Sequence, residues 1–155
     1  MSEPTDDIAL RPFGYADPDP VVRRIGDRDL FLGNVAAGES PPREFDTVVT
    51  LTDEPVAATT HHRPLVDGPG NEWTAFAEAV DAVRDRRTEG SVLVHCRAGV
   101  SRSATVLATA IAADEERGFH EAFAEVAAHR RTAVGHPALC RLGVVYLAAR
   151  FERLR

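Results

Sequence analysis

The segment that most constrains this chain is Ser91-Val92-Leu93-Val94, which runs directly into His95 to Ser103 and then into the apolar stretch Ala104 to Ala113. A short continuous apolar run without alternation describes a strand buried on both faces, and such strands belong in a largely parallel sheet. The later run has ten residues, about half the ~20 needed to cross a bilayer, so it reads as a core helix. Strand, tight loop and helix in that order define an α/β unit.

The flanking sequence extends this unit in both directions. Short apolar runs at Val21 to Ile25, Leu30 to Leu32 and Thr47 to Leu51 are separated by Gly, Asp, Asn and Pro, the punctuation of strands and turns. Pro41-Pro42 ahead of Arg43-Glu44-Phe45 suits one short helical turn. From Asn71 the period changes, with Trp73, Phe76, Val80 and Val83 at three- and four-residue spacing, an amphipathic helix that stops near Gly90. Three more helices are expected at Ser103 to about Glu116, Phe119 to about Arg130 and Pro137 to about Arg153, with Gly118 and Gly135 as breaks. The expected fold is a single α/β domain, a central mostly parallel sheet of about five strands flanked by helices. Residues 1–20, rich in Asp and Pro, read as a flexible tail, leaving 21–155 as the folded domain.

Charge and cysteine content narrow the function. All 18 basic residues are arginine, against 24 acidic ones, for a formal charge of −6. Lysine Schiff bases and Walker-type phosphate lysines are therefore excluded, and nucleic-acid binding loses its usual electrostatic support. An anionic substrate must be held by a local site. The acidic start lacks the pattern of a signal peptide, and the two cysteines, Cys96 and Cys140, suit a reducing compartment, so a cytoplasmic protein with no membrane span is expected.

The chemistry lies in His95-Cys96-Arg97-Ala98-Gly99-Val100-Ser101-Arg102-Ser103. A cysteine at the carboxyl end of a buried strand, before a tight loop and a helix N-terminus, places sulfur at the mouth of a ring of main-chain N–H groups, an anion-binding arrangement. The helix end and the Arg102 guanidinium favour the nucleophilic thiolate form. Gly99 lets the loop curl. Arg102 can grip two oxygens of a tetrahedral anion at once.

The stretch VLVHCRAGVSRSATV resembles the signature of the cysteine-based protein tyrosine phosphatases, in their dual-specificity branch; Ser103-Ala104 stands where tyrosine-specific enzymes usually carry Thr-Gly. Leu30-Phe31-Leu32-Gly33-Asn34 and Val48-Val49-Thr50-Leu51-Thr52 are similar to earlier strands of that family, and the likeness spans about residues 21 to 153. It implies a phosphomonoester hydrolase, acting on phosphotyrosine, phosphoserine or phosphothreonine in proteins through a phosphocysteine on Cys96, with no metal or other cofactor. Phosphate would be held by the N–H groups of Arg97, Ala98, Gly99, Val100, Ser101 and Arg102 and by the Arg102 side chain. Ser103 would donate a hydrogen bond to the departing sulfur. His95 would orient the loop, and Asn34 would hydrogen-bond it.

Asp67, in Arg63-Pro64-Leu65-Val66-Asp67-Gly68, resembles the general acid of the family's Trp-Pro-x-x-Asp-Gly loop, although Arg63 replaces the tryptophan. Asp53, which follows a strand, is the reserve acid. His61-His62 lacks a third ligand of telling spacing and reads as a loop pair, and Cys140 sits in an apolar helical pattern as a core residue. Related loops act on phospholipid or RNA phosphates, rhodanese-type sulfurtransferases use a loop cysteine on a similar cradle, and pseudophosphatases bind without catalysis. These are the competing readings.

Overall fold

The computed structural model describes residues 17–153, with side chains to residue 150. The flexible tail expected over residues 1–20 lies outside the described residues as far as residue 16. Five strands, β1 (Val22–Arg24), β2 (Leu30–Gly33), β3 (Thr47–Thr50), β4 (His61–His62) and β5 (Val92–His95), form one sheet in the order β1-β2-β5-β3-β4. Only β1 runs antiparallel, against β2; the other pairings are parallel. Among the described residues five helices follow the chain as α1 (Val35–Glu39), α2 (Trp73–Arg86), α3 (Arg102–Glu115), α4 (Phe119–His129) and α5 (Pro137–Arg153). The expected single α/β domain with a mostly parallel five-stranded sheet is what forms.

The period-two alternation of strands sorts their side chains between two apolar clusters. Leu30, Leu32, Val49, Val92 and Val94 enter the main core with residues of α2 to α5, whereas Phe31, Val48 and Leu93 form a smaller cluster on the other face with Ala37 of α1. Helix α3 is the axis of the main core, with every residue from Ser103 to Ala113 buried. Its five alanines and two threonines across that span keep side chains short, so sheet and helices can pack closely around it.

Two local expectations fail. Residues 41–46 form no helix; Arg43 instead stacks on the rings of Phe31 (4.7 Å) and Phe45 (5.1 Å), a cation–π contact that holds this segment over the smaller cluster. The short helix lies earlier, at α1, because Asn34 caps it by accepting from Ala37 N. Further on, His61 and His62 are not loop residues but form β4 beside β3. His62 Nε2 bonds the Thr52 carbonyl (2.8 Å), and His61 Nδ1 pairs with Thr60 Oγ1 (2.9 Å).

Candidate active site

Strand β5 ends at His95, and Cys96 opens a loop that closes at Ser101, the residue before α3. Around this loop the carbonyls are drawn outward by successive donors. Val35 N takes the Arg97 carbonyl (3.0 Å), Arg130 takes those of Ala98 (3.0 Å) and Gly99 (3.1 Å), Val134 N takes Val100 (3.1 Å), and Thr105 takes Ser101 through both N and Oγ1. In a trans peptide the C=O of one residue and the N–H of the next point in opposite directions. Carbonyls turned out at Arg97 to Ser101 therefore turn the N–H groups of Ala98, Gly99, Val100, Ser101 and Arg102 inward. Among the described residues none of these N–H groups has a hydrogen-bond acceptor. The result is a cup of donors at the positive end of a 14-residue helix.

Gly99 shows why the curl needs glycine. Its φ is +68°, and a Cβ there would lie 2.9 Å from the Gly33 carbonyl oxygen. The Cys96 sulfur is buried and lies 3.2 Å from Ser103 Oγ, which is fully buried in the first turn of α3. Arg102 swings its guanidinium across the loop, where Nη1 donates to the carbonyls of Leu65 (3.1 Å) and Leu51 (3.4 Å). Neutral carbonyls leave the positive charge of the guanidinium uncancelled.

Behind the nucleophile, His95 is completely buried, and its Nε2 meets Thr50 Oγ1 at 2.8 Å; Thr50 in turn meets Thr59 Oγ1 at 2.7 Å. Burial pushes the His95 pKa down to about 4, with the Cys96 main chain opposing this and the Arg102 charge adding to it. The ring is neutral at pH 7. Room for it is made by Gly38 of α1, where a Cβ would come within 2.6 Å of His95 Nε2.

Asn34 supports the loop differently from expectation. Its Oδ1 accepts from Val21 N (2.9 Å) and Ala37 N (3.0 Å), and its Nδ2 donates to the carbonyls of Asp17 (3.2 Å) and Asp19 (2.9 Å). With both donors and both lone pairs occupied there, the side chain has nothing left for the loop. Its contribution is the cap on α1, the helix whose first residue, Val35, holds the Arg97 carbonyl.

The two candidate acids lie in different surroundings. Asp53 borders a cavity of about 570 Å³ that Arg97 and Arg102 also line. Asp67 is exposed in the loop after Leu65, the residue whose carbonyl Arg102 touches. Asn71 staples that loop by accepting from Val66 N (2.7 Å) and donating to the carbonyls of Val66 (2.8 Å) and Gly68 (3.2 Å). Cys140 is a free, half-buried thiol whose pKa burial pushes up, away from the reactive range.

Sequence reasoning missed Arg130 and Gly38. One arginine among 18 carries no signal of its own, and Gly38 matters only because the His95 ring, distant in sequence, packs against it.

The family model for the dual specificity phosphatase catalytic domain matches residues 58–141, more than half of the chain. A search of curated proteins gave no match. Among solved structures, human DUSP28 superposes with a TM-score of 0.74 at 21% identity, covering 86% of this chain and 99% of that one. A mouse putative dual specificity phosphatase complexed with zinc tungstate gives 0.73 at 23%, covering 94% and 96%. PTPMT1 gives 0.69 at 18%, covering 86% and 98%. At these identities the structural likeness concerns the fold.

Proposed function

Because this chain belongs to the dual specificity phosphatase catalytic-domain family, we propose that its phosphatase activity is directed at phosphorylated proteins and proceeds through a phosphocysteine on Cys96. The observation that carries this reading is the cup of unbonded N–H groups between a buried cysteine and an arginine that donates to main-chain carbonyls and forms no ion pair among the described residues.

In the first step the Cys96 thiolate attacks phosphorus, the P–S bond forms and the ester P–O bond breaks. The inward N–H groups and the Arg102 fork take up the charge on the equatorial oxygens. The leaving oxygen needs a proton, which we assign to Asp67, with Asp53 as the reserve. In the second step water attacks phosphorus, the same carboxylate takes its proton, and sulfur departs as thiolate while Ser103 Oγ, 3.2 Å away, donates to it. The products are an alcohol or phenol and inorganic phosphate. Positive charge comes from the protein itself, so the scheme calls for no metal. A free cysteine nucleophile suits a reducing compartment, which supports a cytoplasmic location; no helix among the described residues is long and apolar enough to cross a membrane.

The experiment is a pair of variants. Cys96→Ser should cut turnover to below about a thousandth while phosphate or vanadate still binds; normal turnover would end the covalent scheme. Asp67→Asn should slow alkyl phosphates more than p-nitrophenyl phosphate, whose leaving group needs little protonation. An equal effect on both, paired with a selective effect of Asp53→Asn, would move the acid to Asp53. EDTA should leave the rate unchanged.

One observation favours a second reading. The fold neighbour PTPMT1 has been solved in complex with PI(5)P, and the second reading is accordingly a phosphoinositide substrate.

A further inference from the structure

The cavity beside the phosphate loop is about 570 Å³ and is bordered by two arginines, Arg97 and Arg102, but by four carboxylates, Asp17, Glu39, Asp53 and Glu54. The carboxylates outnumber the cations at a site read as one for phosphate dianions. Among the described residues none of the four enters an ion pair, although arginines elsewhere pair with Asp29, Asp114, Glu89, Glu115, Glu121 and Glu125.

The segments that carry these carboxylates are fixed in place. Asn34 holds the carbonyls of Asp17 and Asp19. Thr52 Oγ1 donates to the Glu54 carbonyl (2.7 Å), and His62 Nε2 bonds the Thr52 carbonyl. Glu39 ends α1, the helix whose start braces the loop.

Building on the phosphatase reading above, we propose that this rim selects phosphorylated peptides with arginine or lysine beside the phosphorylated residue. When the phosphate sits in the N–H cup with Arg102, the neighbouring part of the substrate must lie over Glu39, Asp53 and Glu54. A sphere of the cavity's volume is about 10 Å across, comparable with the ~8 Å screening length at physiological salt. The field of the carboxylates therefore reaches across the cavity. A guanidinium or ammonium next to the phosphate is attracted by it, and a second phosphate, as on a polyphosphorylated headgroup, is repelled.

The test is a set of phosphotyrosine peptides that differ only in flanking residues, basic, neutral or acidic, alongside a phosphoinositide bisphosphate in neutral phosphatidylcholine vesicles. The wild-type enzyme should favour the basic peptide over the neutral one in kcat/KM by roughly three- to tenfold, the size of one or two exposed charge pairs. The acidic peptide should be slower again, and the preference should shrink in 0.5 M salt, an on-rate and affinity effect of exposed charges. In the double variant Glu39→Gln, Glu54→Gln, the ratio of basic to neutral peptide should fall towards one. Equal rates on all three peptides, a preference for the acidic one, or faster turnover of the vesicle lipid would overturn the proposal, and each is read on the unmodified protein. Failure of the phosphatase reading itself looks different: neither the peptides nor p-nitrophenyl phosphate would be hydrolysed in a Cys96-dependent way.

Discussion

Helix α3 carries arginine clusters at both ends, and the two clusters are built on opposite plans. At its N-terminus no acidic residue occupies the first turn, and Arg102 and Arg130 donate to main-chain carbonyls of Leu51, Leu65, Ala98 and Gly99. At its C-terminus Asp114 and Glu115 sit against the negative end of the helix, where they are unfavourable. They are compensated by Arg84, Arg87 and Arg28, and Arg28 also joins Glu125. Arg102 fastens neutral carbonyls and enters no ion pair among the described residues, which leaves its charge for an anion; the arginines at the other end neutralise charges already in the chain. Residue type alone does not separate these uses. The partner does.

The largest effect that would break this contrast is at Arg102. Lysine preserves the charge but not the planar fork, so Arg102→Lys should lower kcat/KM by about 100-fold or more, measured on p-nitrophenyl phosphate. Near-normal activity would mean that charge alone suffices at the N-terminal end, and the distinction in geometry would go.

Arg130 comes next. Arg130→Ala releases the carbonyls of Ala98 and Gly99, so the peptide units that turn the Gly99 and Val100 N–H groups inward lose their outer anchors. A drop of roughly tenfold in kcat/KM, with KM for phosphate esters rising, is expected from a positioning role of this kind. If activity holds while stability alone falls, Arg130 belongs to the structural class at the other end.

His95 sharpens the comparison through pH. Its folded pKa of about 4 lies below the ordinary 6.5 because burial disfavours the imidazolium. The unfolded chain therefore binds more protons than the native one between those values. Stability contributed by the neutral ring is fully present above 6.5 and is lost as pH falls towards 4, by at most about 1.4 kcal/mol per pH unit. Urea unfolding between pH 7.5 and 4.5 should show this slope, and His95→Asn should flatten it. His61, whose pKa burial also lowers, contributes in the same direction.

How far the sequence reveals all this depends on how local each cause is. Strand β5, the loop and α3 are legible because an unbroken apolar run, a glycine and a buried helix are all encoded within Ser91 to Ala113. The sheet is legible for the same reason: alternating and continuous apolar runs mark β2, β3 and β5. Helix α1 is not, since five residues containing Gly38 carry little helical signal, and its existence rests on the Asn34 cap. The two prolines at 41 and 42 suggest a turn of helix that the Arg43 stack on Phe31 and Phe45 overrides. Strand β4 has two residues and owes its form to pairing with β3. At the site, Cys96 and Arg102 are fixed by spacing, whereas the Arg130 brace, the Asn34 bonds and the company of Asp53 in the cavity depend on chain segments brought together only by folding.

The smallest expected effect on activity is at the opposite end of α3, and it completes the contrast. Arg28 grips Glu115 with two bonds of 2.7 Å and reaches Glu125 at 2.5 Å, while Arg117 also pairs with Glu125. The bond from Arg28, followed by that from Arg117, holds the Glu125 carboxyl down to about 2. A depressed carboxylate contributes stability that is complete above its unfolded value of about 4.5 and is lost as pH falls towards 2. Arg28→Gln leaves two carboxylates short of a partner, so unfolding should become easier by roughly 1–2 kcal/mol at neutral pH. Its dependence on pH between 4.5 and 2 should become shallower, because Glu125 then relies on Arg117 alone. Turnover at 25 °C should stay within about twofold, since Glu115 is separated from Arg102 by the length of α3, roughly 20 Å at 1.5 Å per residue. A variant that unfolds as wild type does, or one that loses catalysis while remaining folded, would show that the two ends of the helix are not independent.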